Sequence, residues 1–379
     1  MPHHYLERKQ IRFHSLKERD NKVDIRRDPV QPGDPPAQLS PVATRLIRQA
    51  ATDIRRARAS GRPVILCFGA HCIKNGLAPV LIELVNQEAV THLATNGAGV
   101  IHDWEFAFQG ASSEDVRANI ARGRFGIWAE TGTHLNLALA VGAWTGLGYG
   151  EAVGALIADE GLEIPAPDVL KKEAAAAMQA GAWERAAAAL DLLSLVTQFD
   201  LSPGRLAVPH PYRAYSIQAA AHRCGTPFTA HPMFGHDIIY THPMNQGAAV
   251  GRAAERDFLS FAHSVSRLQG GIYLSVGSAV MSPMIFEKSL SMARNIAQTE
   301  GRRIDDFTIY VVDLTPSTWD WQAGEPTESD PAYYLRFMKT FSRMGGRMHY
   351  ICAHNRDFLL SLCQETGRGR GASPQEEAC

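Results

Sequence analysis

The feature that most constrains the fold is a repeated rhythm. A short apolar run ends in small or polar residues, and a helix-patterned stretch follows. "RPVILCFGA", "VTHLATNG", "TPFTAHP", "GGIYLSVG" and "DFTIYVVDL" are such runs, each of strand length and nearly continuous in apolar character. Between or after them come "LAPVLIELVNQEA", "YSIQAAAHRC", "AAERDFLSFAHSVSRL" and "SPMIFEKSLSMARNIAQTE", which carry helical spacing. Parallel strands need a long crossover, usually a helix. The alternation therefore predicts an α/β chain: a Rossmann-like parallel sheet with helices on both faces.

The organisation follows from composition. Residues 1–40 are polar and proline-bearing and read as an N-terminal arm. Ser40-Pro41 supplies an N-cap and a first-turn proline for the helix "VATRLIRQAATDIRRARAS", which stops at Gly61. A single α/β domain is expected over 41–365, with an α-helical insertion at about 125–205 whose alanine-rich part breaks into two helices at Gly181. The stretch "PAYYLRFMKTFSRM" reads as a last helix leading to "HYICA" and "NRDFLLSLC", and 366–379 as a disordered tail.

Several function classes are excluded on totals. The formal net charge of -1 over 379 residues gives no field to draw in nucleic acid or an anionic membrane. Thr131–Gly150 lacks charged side chains but holds His134, Asn136 and five glycines, and so reads as a packed helix and loop rather than a membrane span. The six cysteines are scattered without a CxxC pair, so no zinc knuckle or disulfide framework is indicated and a reducing cytoplasm is expected.

In an open parallel sheet, ligands bind outside the carboxyl ends of the strands. The five ends here are Gly69-Ala70-His71-Cys72, Thr95-Asn96-Gly97-Ala98-Gly99, His231 to Asp237, Gly277-Ser278, and Asp313-Leu314-Thr315-Pro316. Glycines 97, 99 and 277 would let backbone N–H groups approach a phosphate. Ser282-Pro283 would open a helix whose N-terminus favours an anion, and Asp313 could accept from ribose hydroxyls. The pieces suit a dinucleotide, although GxGxxG is absent. Other readings stay open. Gly97 and Gly99 could serve only a tight turn, and His102-Asp103-Trp104-Glu105 could be a plain helix start. His231, His236, Asp237 and His242 could serve a metal-dependent hydrolase or lyase, although their spacing fits no zinc signature.

The stretch "VILCFGAHCIKNGLAPVLIELVNQEAVTHLATNGAGVIHDWEF" resembles the nucleotide-binding half of deoxyhypusine synthases, and "GGIYLSVGSAVMS" and "FTIYVVDLTP" follow in the same order. Asn96 to Gly110 also resembles the NAD-dependent domain of ornithine cyclodeaminase and LOR/SDH-type proteins. The resemblance covers roughly residues 60–315, with insertions between 125 and 205. It implies a deoxyhypusine synthase-like Rossmann fold and bound NAD, often at a tetramer interface. Gly69, Thr95, Asn96, Gly97, Ala98, Gly99, Gly277, Ser278 and Asp313 would then meet the cofactor. His102, Asp103, Glu105 and Asp237 would face the substrate, with His71, Glu130, Asn136 and His236 lining the site.

The chain departs from true deoxyhypusine synthases. That family's imine-forming lysine has no counterpart between Ser289 and Met338, and "VMSPM" stands in place of its histidine pair. The expectation is therefore an NAD-dependent enzyme, a homo-oligomer, acting on a small amine- or hydroxyl-bearing metabolite by transient oxidation followed by elimination, transfer or reduction. His102 would be the base, Asp103 or Glu105 its orienter, and Asp237 a second candidate. A nucleotide-binding regulatory protein without catalysis is the remaining alternative.

Overall fold

The computed structural model describes residues 3–368. Six strands form one parallel sheet: β1 (Val64–Phe68), β2 (His92–Thr95), β3 (Phe228–Ala230), β4 (Ile272–Val276), β5 (Thr308–Asp313) and β6 (Arg347–Cys352). Their spatial order is β6-β5-β4-β1-β2-β3. The chain builds outward from β1 to β3, crosses back, and builds outward again from β4 to β6. This is the doubly wound order of dinucleotide-binding sheets, with the reversal between β1 and β4.

The strands are continuous in apolar character because both sheet faces are covered. In β1 every residue is buried. Val64, Leu66 and Phe68 join one core, under the helices Pro41–Ala59, Ala78–Asn86, Gly97–Gln109 and Asn355–Gly367. Ile65 and Cys67 join the other, against Phe261 and Val265 of the Gly247–Ser266 helix and the apolar sides of Met281–Thr299 and Arg336–Ser342. Each large apolar side chain so enclosed contributes about 1.5–3 kcal/mol. The "HYICA" segment becomes the sixth strand, at the sheet edge beside β5 in the register Ile351↔Val312.

The excursion between β2 and β3 runs from 96 to 227 and contains the stretch 125–205 expected to be a helical insertion. It holds the helices Ala129–Thr145, Tyr149–Asp159, Pro167–Gln179 and Trp183–Gln198, the last two separated around Gly181, which takes a positive φ. No helix among the described residues is long and apolar enough to cross a membrane.

The N-terminal segment is a docked strap. Asn21–Asp24 pairs antiparallel with Ala111–Glu114. Leu16 and Ile25 are fully buried, and the Arg8 guanidinium donates to the carbonyls of Tyr240, His242 and Asn245. Its few apolar residues anchor it while the charged majority face outward, which is why composition alone reads as an arm. Thr366 and Gly367 close the last helix, and the expected tail lies outside the described residues from 369 on.

Candidate functional site

Two cavities adjoin at the carboxyl edge of the sheet. The larger, of about 450 Å³, is bounded by Gly69–His71 after β1, Asn96–Ala98 after β2, His231, His236 and Asp237 after β3, and Gly277–Met281 after β4. It therefore spans the switch point where β1 and β4 diverge. The smaller, of about 220 Å³, lies along the Gly97–Gln109 helix and includes Arg19, Lys74, His102 and Glu105. Ala98, His236 and Asp237 line both.

The switch point is built by close backbone approach. A Cβ on Gly69 would stand 2.1 Å from the Gly277 carbonyl oxygen, so only glycine lets the ends of β1 and β4 meet. Gly277 itself has φ +57 and lies against the Asn355 amide. At the end of β2, Asn96 is an N-cap. Its Oδ1 accepts from Gly99 N–H at 2.9 Å, and the helix starts at Gly97. The Gly97 and Ala98 N–H groups belong to the first turn and have no carbonyl four residues back within the helix. Both residues border the larger cavity, giving an anion-favouring corner. Ser278 borders it too, and its Oγ accepts from Ser282 N–H at 3.2 Å. The expected cap at Ser282 is thus corrected. The helix starts at Met281, and Ser282 is fully buried with its hydroxyl 2.8 Å from the Tyr273 hydroxyl.

Helical periodicity sorts the His-Asp-Trp-Glu segment. Ala98, His102 and Glu105 share one face and border the smaller cavity. Asp103 points the other way. It is fully buried and accepts from Ser216 Oγ and from the Ile217 and Gln218 N–H groups, where it caps the Ile217–Arg223 helix. Its placement facing substrate is therefore corrected. Glu105 is paired with Arg19 in a two-pronged contact at 2.8 and 2.6 Å and accepts from Ser112 Oγ at 2.5 Å. Burial alone would raise its pKa. The Arg19 charge and hydrogen bonds outweigh that and hold it below the usual carboxylate range. Burial lowers the His102 imidazole to about 4, against the opposing pull of Glu105. His102 Nδ1 lies 2.7 Å from Ser112 Oγ.

Among these acids, Asp237 is the one that borders both cavities. Burial pushes its carboxyl up to about 7, and its Oδ2 is enclosed without a hydrogen-bond partner.

Five other expected site residues take structural parts. Thr95 is fully buried, and its hydroxyl donates to Phe68 O at 2.9 Å. Gly99 leaves room for that hydroxyl, since a Cβ there would lie 2.3 Å from Thr95 Oγ1. Glu130 accepts from Ser15 Oγ and Leu16 N–H and so anchors the strap. Asn136 is spanned between Gly132, Ile239 and Asn245. Asp313 turns back to accept from Thr315 N–H and Oγ1. None of the five borders either cavity. His71 and His236 border the larger one. The His231–His242 segment does not converge on a metal. Among the described residues no three His, Cys, Asp or Glu side chains do so, and His231 is turned onto Thr229 Oγ1 at 3.0 Å.

Arg19, Lys74 and Ser112 escaped the sequence reading. Arg19 lies 86 residues from its partner, so no local spacing announces it.

No family model matches the chain, and no curated protein does. Solved structures similar to it include AgrE in ternary complex with ornithine and NAD+, at 12% identity and a TM-score of 0.42, covering 87% of this chain and 34% of that one. ArgZ, an arginine dihydrolase from the ornithine-ammonia cycle in cyanobacteria, is 13% identical with a TM-score of 0.39, covering 86% and 33%. A conserved protein of LOR/SDH type from Methanococcus maripaludis S2 is 12% identical with a TM-score of 0.42, covering 89% and 74%. The chain spans about a third of the length of the first two.

Proposed function

We propose that the chain binds NAD in the larger cavity and oxidises a small amine- or hydroxyl-bearing metabolite held in the smaller one. The fit to the cofactor rests on the site itself: a crevice at the switch point, glycine-limited approach of the β1 and β4 ends, and a helix start aimed into the cavity. Gly69, the Gly97 and Ala98 N–H groups, Gly277 and Ser278 would hold it. When bound, NAD supplies a hydride acceptor for a substrate C–H.

The protein's part is the proton. Oxidising an amine or alcohol carbon releases an N–H or O–H proton as the hydride leaves, and a base must stand at that junction. Asp237 stands where the two cavities meet, and its pKa of about 7 lets it accept a proton at neutral pH and release it again. His102, held near 4, is a weaker base and acts as a neutral hydrogen-bonding group. The order of the two candidates is thus the reverse of the sequence reading. Lys74, half-buried at the smaller cavity, offers a cation to an anionic substrate group. Elimination, transfer or return of the hydride would complete the turnover.

The observation that carries this reading is Asp237, which borders both cavities and whose Oδ2 is enclosed without a hydrogen-bond partner. Calorimetric titration with NAD+, NADH and ADP-ribose tests it, together with mass spectrometry of nucleotide released on denaturation. Binding at ~100-fold excess over Kd should stabilise the fold by about 2.7 kcal/mol. Absence of any adenine-containing ligand in both experiments removes the proposal.

A further inference from the structure

We infer that Arg19, Glu105 and Ser112 form a hydrogen-bonded chain that fixes the tautomer of His102, so that its Nε2 faces the smaller cavity as an acceptor. The chain starts at a guanidinium, which has donors and no acceptor. Arg19 donates to both oxygens of Glu105. Side chains of both are almost wholly enclosed, at 2% and 1% exposure, so the pair is shielded from solvent. The guanidinium also lies 5.6 Å from the Trp128 ring centroid, within reach of a cation–π contact.

A carboxylate held ionised in this way can only accept. Ser112 Oγ, 2.5 Å from Glu105 Oε2, must therefore donate its single hydrogen to it. Toward His102 the same oxygen has only lone pairs left. His102 Nδ1, at 2.7 Å, must carry the hydrogen of that contact. Burial keeps the imidazole uncharged at neutral pH, and a neutral ring has one N–H. Its lone pair is then on Nε2. The ring borders the smaller cavity, and Nε2 is not among the enclosed atoms without a partner.

The consequence is a rule of specificity. A molecule meeting His102 must offer a donor, such as an amine N–H or a hydroxyl. A carbonyl or carboxylate oxygen at that point would face a lone pair. Arg19, Glu105 and Ser112 are positioning residues, acting through His102. The strap is thereby part of the site, since pairing of Asn21–Asp24 with Ala111–Glu114 brings Arg19 and Ser112 to the same helix. The inference rests on the proposed function only in taking the smaller cavity as the substrate's.

The test is long-range proton–nitrogen NMR of imidazole rings in nitrogen-15-labelled full-length protein without nucleotide, at pH 6 to 8. His102 is assigned by its loss in His102→Asn. The native ring should show the Nδ1–H tautomer and no titration across that range. Ser112→Ala should shift the population toward Nε2–H, and Ser112→Thr should restore the native pattern. A native ring bearing Nε2–H overturns the inference, as does a folded Ser112→Ala with an unchanged ring spectrum. Should Ser112→Ala fail to fold, the native spectrum alone decides. Loss of NAD binding would remove the proposed function and leave this result standing, while a wrong tautomer would do the reverse.

Discussion

The Asp237 carboxyl lies on the first turn of the Gly97–Gln109 helix, where a Cβ on Gly97 would stand 2.1 Å from Asp237 Oδ2. The contact joins the β2 and β3 ends of the sheet at the junction of the two cavities. It also gives Gly97 a reason other than backbone freedom, since the space its side chain would fill is already taken by an acid. Gly97→Ala should push the carboxyl aside, lower stability by about 1–3 kcal/mol and weaken nucleotide binding. In an Asp237→Ala background the same change should cost much less, because the obstacle is gone. Denaturant midpoints of the four proteins measure this coupling. Additive losses would mean that the two residues do not compete for the space.

Asp237 also sets a pH dependence with a definite sign. Its pKa rises from 3.8 to about 7 on folding. Between those values the folded protein holds a proton that the unfolded chain has released. The contribution is fully present below pH 3.8, fades as pH rises, and is gone above about 7. Each tenfold gain in proton affinity on folding corresponds to about 1.4 kcal/mol. Asp237→Asn keeps the shape and removes the titration. It should be more stable than the native protein at pH 8 and lose that advantage toward pH 5. Urea midpoints at the two pH values read it, and parallel pH profiles for the two proteins would contradict it.

The sheet was legible because β1, β4 and β5 are buried on both faces and so spell uninterrupted apolar runs. The sixth strand was not, because an edge strand has one covered side and "RMHYIC" mixes buried and half-exposed residues. That strand ends such as Gly69, Asn96, Gly97 and Gly277 border one crevice was legible because fold class dictates where strand ends meet. The roles of His102, Asp103 and Glu105 were sorted only by the helix, which turns residues one apart to different faces. Arg19 and Ser112 could not be found from spacing, since strap pairing, a long-range event, brings them in.

The buried histidines impose a second pH trend, opposite in sign to that of Asp237. Burial lowers His92 and His231 to about 3 and His210 to about 4. The unfolded chain takes up these protons below about pH 6.5 while the folded chain refuses them, so stability falls as pH drops. His210 gives the cleanest probe. It is fully buried, edge-on to Trp104 and Phe108 at 6.1 and 6.0 Å, and neither ring nitrogen makes a hydrogen bond of good geometry, the Val208 backbone being the polar group that faces it. Phenylalanine keeps the ring and removes both polar atoms. His210→Phe should gain about 1 kcal/mol at pH 7 and unfold less readily at pH 5. A loss at pH 7 would mean that a nitrogen of His210 has a partner.

The Arg19–Glu105 pair should be costly to break and cheap to replace whole. Removing one member leaves an uncompensated charge in an enclosed site, which costs about 3–5 kcal/mol. Among the described residues, Arg19→Met leaves Glu105 with only the Ser112 and Thr131 hydroxyls, the latter at 3.3 Å. The Glu105 pKa should then rise, because burial is no longer opposed by the guanidinium. Arg19→Met should consequently be most destabilised at pH 8 and recover toward pH 5, where Glu105 can take a proton. Arg19→Met with Glu105→Gln removes both charges, and the remaining amide can still meet Ser112. The double variant should regain most of the stability and lose the pH dependence. Thermal unfolding of the two variants across pH 5 to 8 separates the two contributions. If the double variant is as unstable as Arg19→Met alone, the loss comes from Arg19 packing on Trp128 and not from the stranded carboxylate.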